Sequence, residues 1–411
     1  MHNRHMEEFK IITLPNKEDS KEEKIKDEPL KRPKDDDSYS PPKKRYIFIL
    51  VILAICLLSF IVIRIVTTYD DYEVEKSWER QDSAESTYIG FENNLLKYSA
   101  DGIFYTKYDG SLIWNYSYNM TNPTIDTCGE YIVVYDKKGT EVDIFSTKGF
   151  VKQIASTIPV IEARVASQGT VSLLLQENNI CYVQMYDKDG TLLVSGEIHP
   201  ENKGFPISMA LSSDAKRLLL SIVNVSEGEL STELVFYDFT SAGKAEEDNI
   251  VATYTYIGTL IPKVEYVKNN KALAFADKKI IVFNNNLRAT VAKEISVSEE
   301  MKSIFYNDTH FGYICETATD NGEIFNQLNI YNLYGLKNTS KAIDISYTDV
   351  NLLDNNEVCF SDGNEIVLYN LQGFKRFDYT FDDSVYSVIP GATSKRYYMI
   401  ESGKTEEIIL K

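Results

Sequence analysis

A short pattern recurs seven times along the chain and constrains its fold more than any other feature. Each copy is a run of alternating apolar residues that ends in Tyr or Phe. A turn follows, carrying Asp or Asn and in most copies Gly. The pattern reads Ile103-Phe104-Tyr105-Thr106-Lys107-Tyr108-Asp109-Gly110, then Val142-Asp143-Ile144-Phe145-Ser146-Thr147-Lys148-Gly149, then Tyr182-Val183-Gln184-Met185-Tyr186-Asp187-Lys188-Asp189-Gly190. Later copies lie at residues 234–238, 280–284, 328–332 and 366–370. The closing aromatics are Tyr108, Phe145, Tyr186, Tyr237, Phe283, Tyr331 and Tyr369, at intervals of 37, 41, 51, 46, 48 and 38 residues. A truncated eighth copy stands at Glu407-Ile408-Ile409-Leu410-Lys411.

Period-2 alternation of β-branched and aromatic residues marks half-buried strands. The Asp, Asn and Gly turns supply the positive φ that tight hairpins need. Further short β runs precede each copy, as at 170–176 and 217–224, or follow it, as at 191–198 and 250–256. Another opens most units, as at 206–211 and 261–267. That makes four strands in a unit of about 40–45 residues, the size of a propeller blade. Sandwich repeats run near 100 residues and solenoid coils are shorter. The expected fold is all-β: a β-propeller of about eight four-stranded blades, or seven if the last strands complete the first blade. Both chain ends should close the ring, because an open ring leaves unpaired edges.

Ahead of the repeats, residues 46–63 form an uncharged run of Ile, Leu, Val and Phe, followed by Arg64, Ile65 and Val66. About 20 apolar residues span a bilayer as a helix. Arg64 sits at the end of the run, where a long basic side chain reaches the interface. Lys43, Lys44 and Arg45 precede it, and Asp70, Asp71, Glu73 and Glu75 follow. The positive-inside rule then places the N-terminus in the cytoplasm and residues 67–411 outside the cell membrane. A cleaved signal peptide would have a shorter apolar core and a small-residue cleavage site, which Ser59-Phe60-Ile61-Val62 does not provide.

The expected organisation is a disordered cytoplasmic tail (1–45), a transmembrane helix (46–66), an acidic linker (67–86) and a propeller ectodomain (87–411). The tail is rich in charges of both signs and poor in apolar residues, so it cannot offset its ordering entropy. Residues 67–411 hold 30 Lys/Arg against 50 Asp/Glu, so the net charge of −18 belongs to the distal domain. That balance excludes a nucleic-acid partner, which needs a basic footprint.

Cys56 lies in the apolar run, while Cys128, Cys181, Cys315 and Cys359 are widely spaced in the distal domain. Disulfides among these four are permitted, with three connectivities. Separate buried thiols are the simpler reading, since a domain of this size needs no staples.

Two stretches carry a family resemblance. Leu95-Leu96-Lys97-Tyr98-Ser99-Ala100-Asp101-Gly102 through Leu112-Ile113-Trp114 resembles one repeat of the PQQ-like propellers. Met209-Ala210-Leu211-Ser212-Ser213-Asp214-Ala215-Lys216-Arg217-Leu218 resembles the strand-turn-strand of WD40-like blades. Over residues 43–411 the layout is similar to a family of single-pass, anchored propellers of unknown function from clostridia-like Gram-positive bacteria. The resemblance informs fold far more than function. PQQ-type dehydrogenases bind their cofactor and calcium in the propeller, but this chain has no vicinal Cys pair, and Trp114 is the only Trp in the repeats. PQQ is therefore not expected.

No catalytic, cofactor-binding or metal-binding residue stands out, and no cofactor is expected. His199 and His310 have no Cys or His at ligand spacing, and no G-x-S-x-G, P-loop or G-x-G-x-x-G pattern occurs. Asp187-Lys188-Asp189-Gly190 resembles part of a calcium loop but lacks the terminal Glu, so a hairpin turn is the better reading. The expected function is a non-catalytic scaffold or sensor that binds an envelope protein, peptide or glycan. The alternative is an enzyme or small-ligand binder with a site in the central channel. A channel plugged by side chains favours the first, and convergent ionisable groups with room for a ligand favour the second.

Overall fold

The computed structural model describes residues 43–82, 86–226, 228–286, 288–318, 322 and 324–411. The expected disordered tail falls outside these residues apart from 43–45. A helix, α1, spans Lys43–Val66. Its segment Tyr46–Val66 is long and apolar enough to cross a membrane, and none of it is buried.

Among the described residues, thirty-two strands form eight four-stranded antiparallel sheets, so the count of eight blades holds and seven does not. Blades 1 to 7 are sequential meanders. Blade 1 holds Thr87–Phe91, Asn94–Ser99, Gly102–Thr106 and Leu112–Ser117. Blades 2, 3 and 4 begin with Pro123–Cys128, Val160–Val165 and Phe205–Leu211, and blades 5, 6 and 7 with Lys263–Lys268, Met301–Tyr306 and Asp349–Leu352. These first strands lie against one another around the centre. Fourth strands such as Leu192–Ile198 and Lys337–Ile343 are largely exposed at the outside.

Blade 8 takes three strands from the C-terminus, Val385–Pro390, Arg396–Glu401 and Lys404–Leu410. Its fourth strand is Tyr72–Glu79, which pairs antiparallel with Lys404–Leu410 from Tyr72↔Leu410 to Glu79↔Lys404. The expectation that both ends close the ring is met. The segment expected as an acidic linker, 67–86, is corrected accordingly, because much of it is the outer strand of blade 8. Burying the last backbone edge outweighs the unfavourable strand propensity of its charged residues. Arg80 secures the seam by donating to the carbonyls of Glu401 (2.5 Å) and Lys404 (3.0 Å) and to Thr405 Oγ1 (2.7 Å).

Helix α1 ends against blade 7. The last carbonyls of a helix lack intrahelical donors. Here Thr67 N and Oγ1 donate to Ile63 O, Arg376 Nη1 to Arg64 O (3.0 Å), and Asn370 Nδ2 to Ile65 O (2.8 Å). A cation at this end also complements the helix dipole. Arg376 reaches the carbonyl because the blade 7 register shifts between Leu368 and Tyr369, which makes Arg376 the extra residue of a bulge. A bulge re-aims its side chain.

That bulge recurs at the same place in blades 1 to 7, always at the end of the third strand. It sets Phe145, Tyr186, Tyr237, Phe283, Tyr331 and Tyr369 in equivalent positions. Blade 1 has Thr106 there, so Tyr108 is not the seventh equivalent. Tyr108 instead sits in the turn and stacks on Tyr398 of blade 8, with ring centroids 3.9 Å apart. In the Asp187 turn, Oδ1 accepts from Asp189 N (3.0 Å) and Thr191 N (2.7 Å), and Gly190 takes φ +82°. The carboxylate is occupied by backbone, so the hairpin reading of this sequence is the correct one.

Hydrophobic clusters fill the gaps between neighbouring blades, with Phe236, Ala274 and Phe283 between blades 4 and 5 and Val133, Ile144 and Leu173 between blades 2 and 3. The blade 8–blade 1 gap has the smallest cluster, Tyr88, Leu95, Ile389 and Ile400. All five cysteines are free.

Deleting residues 72–79 exposes the edge of Lys404–Leu410 in blade 8 and unlinks the two ends of the propeller. Thermal unfolding and size-exclusion chromatography should show a Tm lower by roughly 5 °C or more and new concentration-dependent association. An unchanged Tm would rule out a closing role for this strand.

Candidate functional site

Inner strands of a propeller face the central channel, and alternation places residues i and i+2 on one face. Val160–Val165 so presents Glu162 and Arg164 together, and Lys263–Lys268 presents Lys263 and Glu265. Across the channel these join Asp126 of blade 2 and Tyr306 of blade 6 in one network.

Arg164 is its hub. Its Nη1 lies 3.2 Å from Asp126 Oδ1, and its Nη2 lies 2.7 Å from Glu162 Oε1 and 3.4 Å from Glu265 Oε2. Its Nε donates to Met209 O of blade 4 at 3.2 Å. Glu265 Oε2 also meets Lys263 Nζ at 3.0 Å and accepts from Tyr306 OH at 2.9 Å. The second oxygens of Asp126 and Glu162 take backbone donors: Val165 N reaches Asp126 Oδ2 and Met209 N reaches Glu162 Oε2, both at 2.8 Å. Five consecutive blades, 2 to 6, are stitched by one guanidinium and the groups around it. Arg suits this role because its planar fork of donors stays charged when buried.

Burial pushes the Asp126 carboxyl up to about 6, and Arg164 only partly offsets it. Burial acts on Glu265 in the same direction, but Arg164 and then Lys263 outweigh it and hold that carboxyl below its ordinary value. With Asp126 ionised the network carries three anions and two cations. With Asp126 protonated it is balanced.

The inner strands of blades 7, 8 and 1 border a separate open cavity of about 480 Å³ that includes Asp349, Asn351, Asp354 and Ser387. Cys359 lies at its wall, and burial pushes this thiol far up. A neutral thiol is a poor nucleophile. His310 is in blade 6, bonded to Thr309 and Asn338, while His199 precedes blade 4. The two histidines do not converge.

No site residue was expected from the sequence. The network did leave a signal, because Glu162, Arg164, Lys263 and Glu265 put charge at alternate positions of otherwise apolar strands. Their convergence across 139 residues, from Asp126 to Glu265, depends on ring closure.

Fold and channel together define the chain as an eight-bladed β-propeller of WD40-like architecture behind one apolar helix. The chain belongs to the family of unknown function DUF5711, whose model matches residues 65–410. Among solved structures it is similar to BamB from Moraxella catarrhalis, with 12% identity and a TM-score of 0.50, covering 83% of this chain and 100% of that one. It is also similar to the C-terminal WD40 domain of Sif2, with 10% identity and a TM-score of 0.55, covering 84% of this chain and 100% of that one. At such identities the likeness is one of fold. No curated protein matches the chain in sequence.

Replacing Arg164 with Met leaves the half-buried carboxylates without their main counter-charge. Urea denaturation should show a loss of about 3–5 kcal/mol at pH 7, whereas a loss below 1 kcal/mol would mean the network is not a structural hub. Asp126 gives a pH test. Its folded pKa lies above the unfolded value near 4, so the folded state binds the extra proton. The stability it contributes is complete below about pH 4 and is lost as pH rises through about 6. The stability of wild type relative to Asp126→Asn should therefore fall between pH 4 and pH 7, and a flat or rising difference would contradict the assignment.

Proposed function

We propose that the chain is a single-pass membrane protein whose propeller lies outside the cell and acts as a non-catalytic scaffold or sensor for an envelope protein, peptide or glycan. The observation that carries this reading is the Arg164 network. The ionisable groups around Arg164 spend most of their hydrogen-bonding capacity on one another and on the backbone of the inner strands. Groups tied in this way brace the ring and do not wait for a substrate.

Two further features support partner binding. Apolar side chains stand exposed in pairs at the starts of outer strands and in their turns: Leu112 with Ile113, Leu192 with Leu193, and Tyr334 with Leu336. Such groups suit contact with another macromolecule. Propellers also concentrate function in the loops of their faces. The anchor rests on the apolar, unburied segment Tyr46–Val66, and the orientation on Lys43, Lys44 and Arg45 ahead of it.

Crosslinking in intact cells followed by isolation of the full chain from membranes should recover a specific envelope partner. That partner should be lost when Leu192 and Leu193, or Tyr334 and Leu336, are changed to Ser. Protease added to intact cells should digest the propeller and spare the N-terminal tail. The opposite protection pattern would overturn the topology, and recovery of no partner above background would remove the support for a scaffold.

A further inference from the structure

Blade 4 departs from the repeat in two places, and both departures wall the same cavity. In blades 1, 3, 6 and 7 the third and fourth strands are joined by a tight turn closed by backbone hydrogen bonds, such as Asp187 N to Thr191 O (2.9 Å) and Asn332 N to Leu336 O (3.0 Å). In blade 4 the connection runs through residues 239–249 and holds two short 3-10 turns, Gly243–Ala245 and Glu247–Asn249. The entry to blade 4 also carries an extra helical turn, α2, Pro200–Lys203. The helical turn, with the ten-residue strands Arg217–Ser226 and Glu229–Asp238, accounts for the longest spacing in the repeat, the 51 residues from Tyr186 to Tyr237.

Between them, and between the outer strand of blade 3 and the third strand of blade 4, lies a cavity of about 320 Å³. Its floor is apolar, with Val183, Leu218, Ile222 and Val235 all buried. Gly196 faces it, and a Cβ added there would meet no atom within 4 Å. Its rim is acidic, since Glu197, Glu233 and Asp248 face one cation, Lys203. Among the described residues neither Glu233 nor Asp248 has an ion-pair partner. The tip of the longer insertion holds Asp248 and Asn249 at φ 54° and 60°.

A repeat protein gains nothing in stability from interrupting its own period beside a partly exposed apolar floor, because apolar surface left to solvent forfeits packing. We propose that this cavity is a binding site for a small amphiphilic amine. The apolar body rests on Leu218 and Val235, and the ammonium group lies against Glu233 and Asp248. An anionic ligand would meet a net negative rim. A neutral ligand would use the floor and leave both carboxylates without a counter-charge.

Isothermal titration of the full chain in detergent micelles, corrected with empty micelles, tests this with three ligands of matched shape: 2-phenylethylammonium, 2-phenylethanol and 3-phenylpropionate. The ammonium should bind saturably, the alcohol at least about tenfold more weakly, and the carboxylate not at all. Glu233→Gln should weaken the ammonium about tenfold with an unchanged Tm, and Gly196→Leu should abolish binding by filling the space. Should Gly196→Leu unfold the protein, Glu233→Gln decides alone. Equal binding of all three ligands, no binding by any, or wild-type affinity in Glu233→Gln would overturn the proposal.

Discussion

The edge of Lys404–Leu410 governs the rest of the structure, because pairing it with a strand from the N-terminal side ties the two ends of the propeller into one blade. Tyr72–Glu79 covers it, and Arg80 ties the seam with three hydrogen bonds to blade 8. The neighbouring gap toward blade 1 is the least filled by apolar side chains. Ring integrity therefore rests on this backbone pairing and on the packing of Tyr72, Ile408 and Leu410 against blade 7 more than on the gap toward blade 1. Residues 67–71 alone separate the closing strand from α1, and Thr68 and Tyr69 within them already bond to blade 7. Closing the ring and fixing the end of the helix are thus parts of one arrangement.

Closure also creates the channel. Asp126, Glu162, Arg164, Lys263 and Glu265 are far apart along the chain, and each would be an expensive charge to bury alone. Gathered around Arg164 they satisfy one another, and the interaction joins five blades. Apolar packing of the same volume often stabilises as much as such a network, but the network is intolerant of any missing member. It also makes the centre of the ring sensitive to the protonation of Asp126.

Contrast between blades is informative in a repeat. Seven blades place a bulge at the end of the third strand, and most follow it with a tight turn. In blade 7 the bulge delivers Arg376 to the end of the helix. In blade 4 the turn is replaced by residues 239–249, and a cavity opens. The same architectural position thus serves as a plain hairpin, a helix clamp or a pocket wall according to local sequence.

Blade size, strand number per blade, the apolar helix and the acidity of the domain were all legible in the sequence, because alternation, turn residues and hydropathy are local properties. The seven-copy pattern located six of the bulge positions and misplaced one. Tyr108 follows the same Asp-Gly turn grammar, but the strand position belongs to Thr106, a distinction that only the pairing register reveals. A charged stretch such as Tyr72–Glu79 reads as a linker because its strand conformation is imposed by the edge it covers and not by its own propensities. The Arg164 network and the blade 4 cavity were decided by tertiary structure alone. Both depend on which side chains meet when eight sheets close into a ring, and no periodicity along the chain encodes that meeting.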